Sequence, residues 1–123
     1  AVRIERTIDL LIQVDLAREA TKSGVQEESL RQVVDAALSA SHLRLKGLMV
    51  LPPAVDDPND ARPWFARLRR LRDDLLTEGV PSASLAHLSM GMSDDFEVAI
   101  EEGATIVRVG AAIFGPRRTA ADP

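Results

Sequence analysis

The sequence predicts an α/β fold of four parallel βα units, and three observations carry that reading. Short apolar runs alternate with longer segments whose apolar residues recur at helical spacing. The runs are apolar at consecutive positions, as in strands covered on both faces of a parallel sheet. Proline or glycine stands where each run must turn.

The elements follow in order. Residues 8–14 (IDLLIQV) form the first buried-strand run, and Ser23 and Gly24 supply a turn. Leu30, Val33, Val34, Ala37 and Leu38 then recur at helical spacing. Residues 45–51 (LKGLMVL) are the second strand, stopped by Pro52 and Pro53. Ala61, Trp64, Phe65, Leu68, Leu71 and Leu75 mark a long amphipathic helix that Asp57 or Asp60 can cap; Pro63 fits only its first turn, and Gly79 suits its stop. Residues 87–90 are a short third strand. Phe96, Ala99 and Ile100 give a one-sided helix, with Asp94 and Glu97 at capping-box spacing and Gly103 as terminator. Residues 105–109 (TIVRV) are the fourth strand. Two closures satisfy a βαβαβαβ order: a small open doubly wound sheet, or half of an eight-stranded barrel.

Composition removes several classes of function. With 123 residues the chain is one domain, and a formal net charge of -4 lacks the basic field that a nucleic-acid backbone or an anionic membrane requires. The absence of cysteine removes disulfides, thiolate catalysis and cysteine-based zinc sites. No apolar run reaches the ~18 residues of a membrane span, and the first residues lack the apolar core of a signal peptide, so a soluble, cytoplasmic protein is expected. The sequence opens AVRIERTIDLL, running almost directly into the first strand, which suggests part of a longer protein.

Two stretches stand apart from this rhythm: LSMGMSDDF at 88–96 and VRVGAAIFG at 107–115. Both fall at the expected C-terminal rim of the strands, where α/β proteins place ligands. Ser89 and Ser93 offer hydroxyls, Gly91 permits close backbone approach, and the segments opening near Asp94 and Gly110 present free N–H groups, so together they compose a phosphate cup. The competing reading is two ordinary βα turns, since glycine and serine are the usual turn residues.

LSMGMSDDFEVAIEEGATIVRVGAAIFGPR, TKSG at 21–24, GLMVLPP at 47–53 and ARPWFARLRRLRDDL at 61–75 resemble the pyridoxal phosphate homeostasis proteins, whose fold is similar to the barrel of alanine racemase. The resemblance covers nearly the whole chain, as the C-terminal half of a (β/α)8 TIM-type barrel over residues 1–118, with 119–123 a flexible tail. It implies a protein that binds pyridoxal 5'-phosphate (PLP) and serves its homeostasis without catalysis. It implies too that the Schiff-base lysine belongs to an N-terminal half with no counterpart here, so that this missing half, or a second copy of the chain, is the expected partner besides PLP or phosphate. By the same resemblance Ser89, Gly110 and the backbone of Ala111 contact the cofactor phosphate, with Met90 and Gly91 beside them, and Arg108 faces the pyridine nitrogen. Ala111 stands where the family often carries threonine. Lys22 aligns with the lysine of TKSG-type relatives and is a site-adjacent candidate.

The alternative is a PLP-dependent racemase of the same fold, which needs a second acid/base group, commonly a tyrosine from another domain. This chain has no tyrosine. Other candidates carry less. Lys46 lies away from the rim, His42 and His87 have no accompanying ligand pattern for a metal, and no nucleophile elbow surrounds Ser89. Arg62, Arg69, Arg70 and Arg72 read as the solvated face of the long helix.

Overall fold

The computed structural model describes residues 7–16, 24–52 and 56–108. Its elements run β1 (Ile8–Val14), α1 (Leu30–Ser39), β2 (Leu43–Val50), α2 (Arg62–Thr77), β3 (His87–Met92), α3 (Phe96–Glu101) and β4 (Ile106–Arg108). All neighbouring strands are parallel, and the sheet order is β1-β2-β3-β4. That order decides between the two closures. A doubly wound sheet reverses direction at a switch point and carries helices on both faces. Here each strand lies beside the next, and α1, α2 and α3 all pack on one face, the arrangement of half a (β/α)8 barrel.

The covered face explains the core. Ile12, Val14, Leu48, Val50, Leu88 and Met90 meet Leu30 and Val34 of α1, Phe65 and Leu68 of α2, and Val98 and Ala99 of α3 in one buried cluster. Both expected helix stops hold in detail. At the end of α2, Val80 N donates to Leu75 O and Gly79 N to Leu76 O; at the end of α3, Ala104 N donates to Ala99 O and Gly103 N to Ile100 O. These are Schellman pairs, with glycine at the left-handed position.

Four expectations need correction. β3 does not stop at Met90 but runs through Met92, so Gly91 and Met92 belong to the strand rather than to a turn beyond it. The N-cap position of the helix that follows is Asp95, not Asp94, and its side chain does not cap the helix: it reaches back to accept from Met92 N at 2.7 Å, closing the turn onto the strand. Asp57 caps a 3-10 turn over Pro58–Ala61, through Asn59 N at 2.9 Å, and this turn delivers the chain into α2 with Pro63 in the first turn. β4 is short at its start because Thr105 substitutes for strand pairing: its Oγ1 accepts from Leu88 N at 3.0 Å while its own N donates to Leu88 O. Val109, placed in this strand by the sequence, lies outside the described residues.

Ion pairs tie the three helices together on the outside. Arg67 bonds Glu27 ahead of α1, Arg31 of α1 reaches Glu78 at 2.8 Å, and Arg62 of α2 bonds both Glu101 and Glu102 at 2.7 Å. The hydrogen bonds from Arg62 to Glu101 and then Glu102 raise its pKa above the ordinary guanidinium value, so it is charged wherever the protein is folded. Exposed pairs of this kind contribute little individually and are screened by salt. Arg62→Ala is therefore expected to lower the thermal midpoint slightly at low ionic strength, and the difference from wild type should vanish near about 1 M salt. A difference of equal size at both ionic strengths would mean that the side chain acts through packing.

Candidate functional site

Alternation along the strands sorts the remaining side chains onto the face that carries no α-helix among the described residues. Register aligns Gln13, Met49, Ser89 and Ile106 across the sheet as one row of that face. One step nearer the C-terminal rim stand Asp15 and Arg108. Leu16 returns to the core, so the alternation of β1 persists through Asp15. The covered face is uniformly apolar, whereas this one gathers polar groups at its C-terminal end.

Ser89 and Arg108 come together there. Ser89 pairs with Ile106 and Met92 with Arg108, so β3 spends three residues where β4 spends two. The extra residue is a bulge, a device that re-aims side chains beside binding sites. It places Ser89 and Met92 on the same face as Ile106 and Arg108. By strand spacing Ser89 and Arg108 are about 5 Å apart across the sheet and about 7 Å along it, within reach of one small ligand. Ser89 is only 4% exposed, while Arg108 is open and Met92 opposite it is 52% exposed.

The other members of the expected set separate. Met90 turns to the covered face and is fully buried in the core, so only its backbone faces a ligand. Gly91 has a local reason of its own. Its φ is +101°, and a Cβ added there would stand 2.6 Å from Ala99 Cβ and 3.2 Å from Phe96 Cα. Close approach of α3 to the bulge requires this glycine. Gly110, Ala111 and Lys22 lie outside the described residues.

Sequence reasoning missed the β1 side of this face. Asp15 is 6% exposed, and its Oδ2 accepts from Gln26 Nε2 at 2.8 Å. Val25 runs beside the end of β1, taking Gln13 O at 2.8 Å and giving its own carbonyl to Asp15 N at 2.8 Å. The available signal was period-two polarity in an otherwise apolar run: Asp9, Gln13 and Asp15 share one parity, and Ile8, Leu10, Ile12, Val14 and Leu16 the other. No helix among the described residues is long and apolar enough to cross a membrane.

A family model described as the alanine racemase N-terminal domain matches residues 1–118. A pyridoxal phosphate homeostasis protein of Aquifex aeolicus is 50% identical over 110 residues, covering 89% of this chain and 47% of the relative. PipY of Synechococcus elongatus PCC7942, solved with PLP bound, superposes with a TM-score of 0.76 at 33% identity, over 89% of this chain and 50% of PipY. An alanine racemase of Corynebacterium glutamicum superposes with a TM-score of 0.70 at 21% identity, over 96% of this chain and 33% of the racemase, a likeness of fold. The chain spans about half the length of the curated relatives it matches.

Proposed function

This chain belongs to the family of the alanine racemase N-terminal domain, and from that premise we propose that it binds pyridoxal 5'-phosphate and serves its intracellular homeostasis, in the cytoplasm and without catalytic turnover. The observation that carries the reading is the bulged register that puts Ser89 and Arg108 on one face and at one rim of adjacent strands. Relatives named pyridoxal phosphate homeostasis protein and the PLP-bound PipY support the same ligand. The residues fit it chemically, since a buried hydroxyl suits a phosphate and a permanent cation suits the lone pair of a pyridine.

Each residue then has a definite task. Ser89 donates its hydroxyl to a phosphate oxygen, with Gly110 and the backbone of Ala111 completing the cup. Arg108 directs a guanidinium at the ring nitrogen. A guanidinium only donates and does not give up its proton, so it keeps that nitrogen unprotonated and weakens the ring as an electron sink. The cofactor supplies an aldehyde for reversible capture of amines. A ring held this way suits a carrier better than a catalyst of carbanion chemistry. The other half of the barrel, which would supply the covalent lysine, would join this half at its edge strands β1 and β4.

Without that lysine the 123-residue chain should bind inorganic phosphate and PLP reversibly and weakly, with no borohydride-reducible adduct. Ser89→Ala should weaken both ligands by roughly tenfold, the worth of one hydrogen bond to a charged group, as read by equilibrium dialysis. Unchanged affinity in Ser89→Ala would remove Ser89 from the site. A reducible adduct lost in Lys22→Ala would instead make this chain a covalent carrier in its own right.

A further inference from the structure

We propose, resting on the reading of this face as a pyridoxal phosphate site, that Ile106 and Met92 wall the ring of the ligand and make the site selective for planar aromatic phosphate esters. The register of β3 and β4 carries this. Ile106 is the partner of Ser89, and Met92 is the partner of Arg108. The two pairs form successive rows of one face, each about 5 Å wide and the rows about 7 Å apart. Four side chains therefore mark the corners of one patch, with the hydroxyl and the guanidinium on one diagonal and the two apolar groups on the other. The opposite face fixes which way they stand. A Cβ on Gly91 would meet Ala99, Phe96 and Val107 together, so Val107 points toward α3, and its neighbours Ile106 and Arg108 take the helix-free face.

Both apolar groups are open where the rest of their strands is packed. Ile106 is 37% and Met92 52% exposed, whereas Leu88 and Met90 are fully buried. Met92 is held from its backbone, since its amide donates to Asp95 Oδ1 at 2.7 Å, so its place in the patch does not depend on its side chain. A strand joining at the edge of β4 pairs with its backbone in the plane of the sheet, and the side chains of this face stand perpendicular to that plane. A flat ring reaching from a phosphate at Ser89 to a ring nitrogen at Arg108 lies along the polar diagonal. It then passes between Ile106 and Met92 and removes apolar surface of both from water. The Met92 thioether adds a sulfur-to-ring contact. Inorganic phosphate reaches Ser89 and touches neither apolar group. An aliphatic phosphate ester offers no flat face to the cleft and no lone pair of a pyridine to Arg108. Ser89 thus serves every phosphate alike, and selection for the ring falls to the other three corners.

Pyridoxine 5'-phosphate carries the ring without the aldehyde, so it binds without covalent chemistry. Equilibrium dialysis of the purified chain at neutral pH compares it with glycerol 3-phosphate and inorganic phosphate. Wild type is expected to hold pyridoxine 5'-phosphate roughly tenfold tighter than either of the others. Met92→Ala and Ile106→Ala should each lower that ratio by about threefold to fivefold and keep the wild-type affinity for inorganic phosphate. Met92→Leu, which keeps the apolar bulk, should recover most of the loss. Because a ratio is insensitive to general damage, a ratio unchanged in either alanine variant overturns the proposal, as does a ratio that falls as far in Met92→Leu as in Met92→Ala. If Ile106→Ala does not fold, the Met92 pair of variants decides alone, since substitution of this exposed side chain spares the core. Wild-type binding of all three ligands with equal affinity overturns the role of Ile106 and Met92 and leaves the phosphate site standing. Failure of wild type to bind any of the three overturns the underlying site reading.

Discussion

Gly47→Ala is expected to destabilise the fold by about 3 to 4 kcal/mol, the upper range for forcing atoms into a packed interior. A Cβ on Gly47 would stand 1.8 Å from His87 O and 2.7 Å from its carbonyl carbon. Both are backbone atoms of the neighbouring strand, so no side chain can swing aside. Gly47 pairs with His87 at the start of the β2–β3 ladder and follows the point where register shifts between β1 and β2. Relief requires β3 to move off β2, which opens the sheet between the strands that anchor α2. Lys46→Ala, at the adjacent bulge, should stay within about 0.5 kcal/mol of wild type. Urea unfolding of the two variants side by side checks this. Equal midpoints would show that β2 and β3 do not approach as closely at Gly47 as the geometry requires.

The same glycine marks what the sequence could and could not disclose. The alternation of strands and helices and both glycine stops were legible because they rest on local signals: apolar runs, helical spacing, and Gly79 and Gly103 after the last periodic residue; the order of the strands in the sheet, which decides between an open sheet and half a barrel, is not carried by such signals. The bulges at Lys46 and at Met90–Gly91 were not legible. A bulge is a mismatch between two strands, and neither strand alone records it. The consequence reached the candidate site directly. The residues after Met90 read as a turn because glycine and serine favour turns, yet the partner strand β4 keeps β3 extended as far as Met92. Ser89 and Arg108 do fall on one face of adjacent strands, whereas the buried Asp15 drew no notice in the sequence. Its carboxylate stands at the end of an apolar run, where polar residues usually mean only that the strand has finished.

Gly91→Ala should damage stability and ligand binding together. The first contribution is conformational: φ is +101°, a backbone state in which a side chain costs about 1 to 2 kcal/mol. The second is packing, because the new methyl would lie 2.6 Å from Ala99 Cβ, 3.2 Å from Phe96 Cα and 3.4 Å from Val107 Cγ1, adding about 1 to 2 kcal/mol. Together they predict a loss of about 2 to 4 kcal/mol. Relief would push α3 away or flatten the bulge, and flattening slides Met92 off its pairing with Arg108 and turns the rim of β3 relative to β4. Phosphate affinity should then fall further than in Ser89→Ala, although no atom of the ligand site has been removed. Ala99→Gly separates the two contributions. Introduced into Gly91→Ala, it removes the 2.6 Å contact but not the backbone strain, so the double variant should recover the packing share and retain the conformational share. Urea unfolding of the two single variants and the double variant gives the coupling between positions 91 and 99, which for residues in contact is expected to be about 1 kcal/mol or more. Strict additivity across that cycle would mean that Ala99 is not what holds Gly91 in place, and that the bulge is fixed by strand pairing alone.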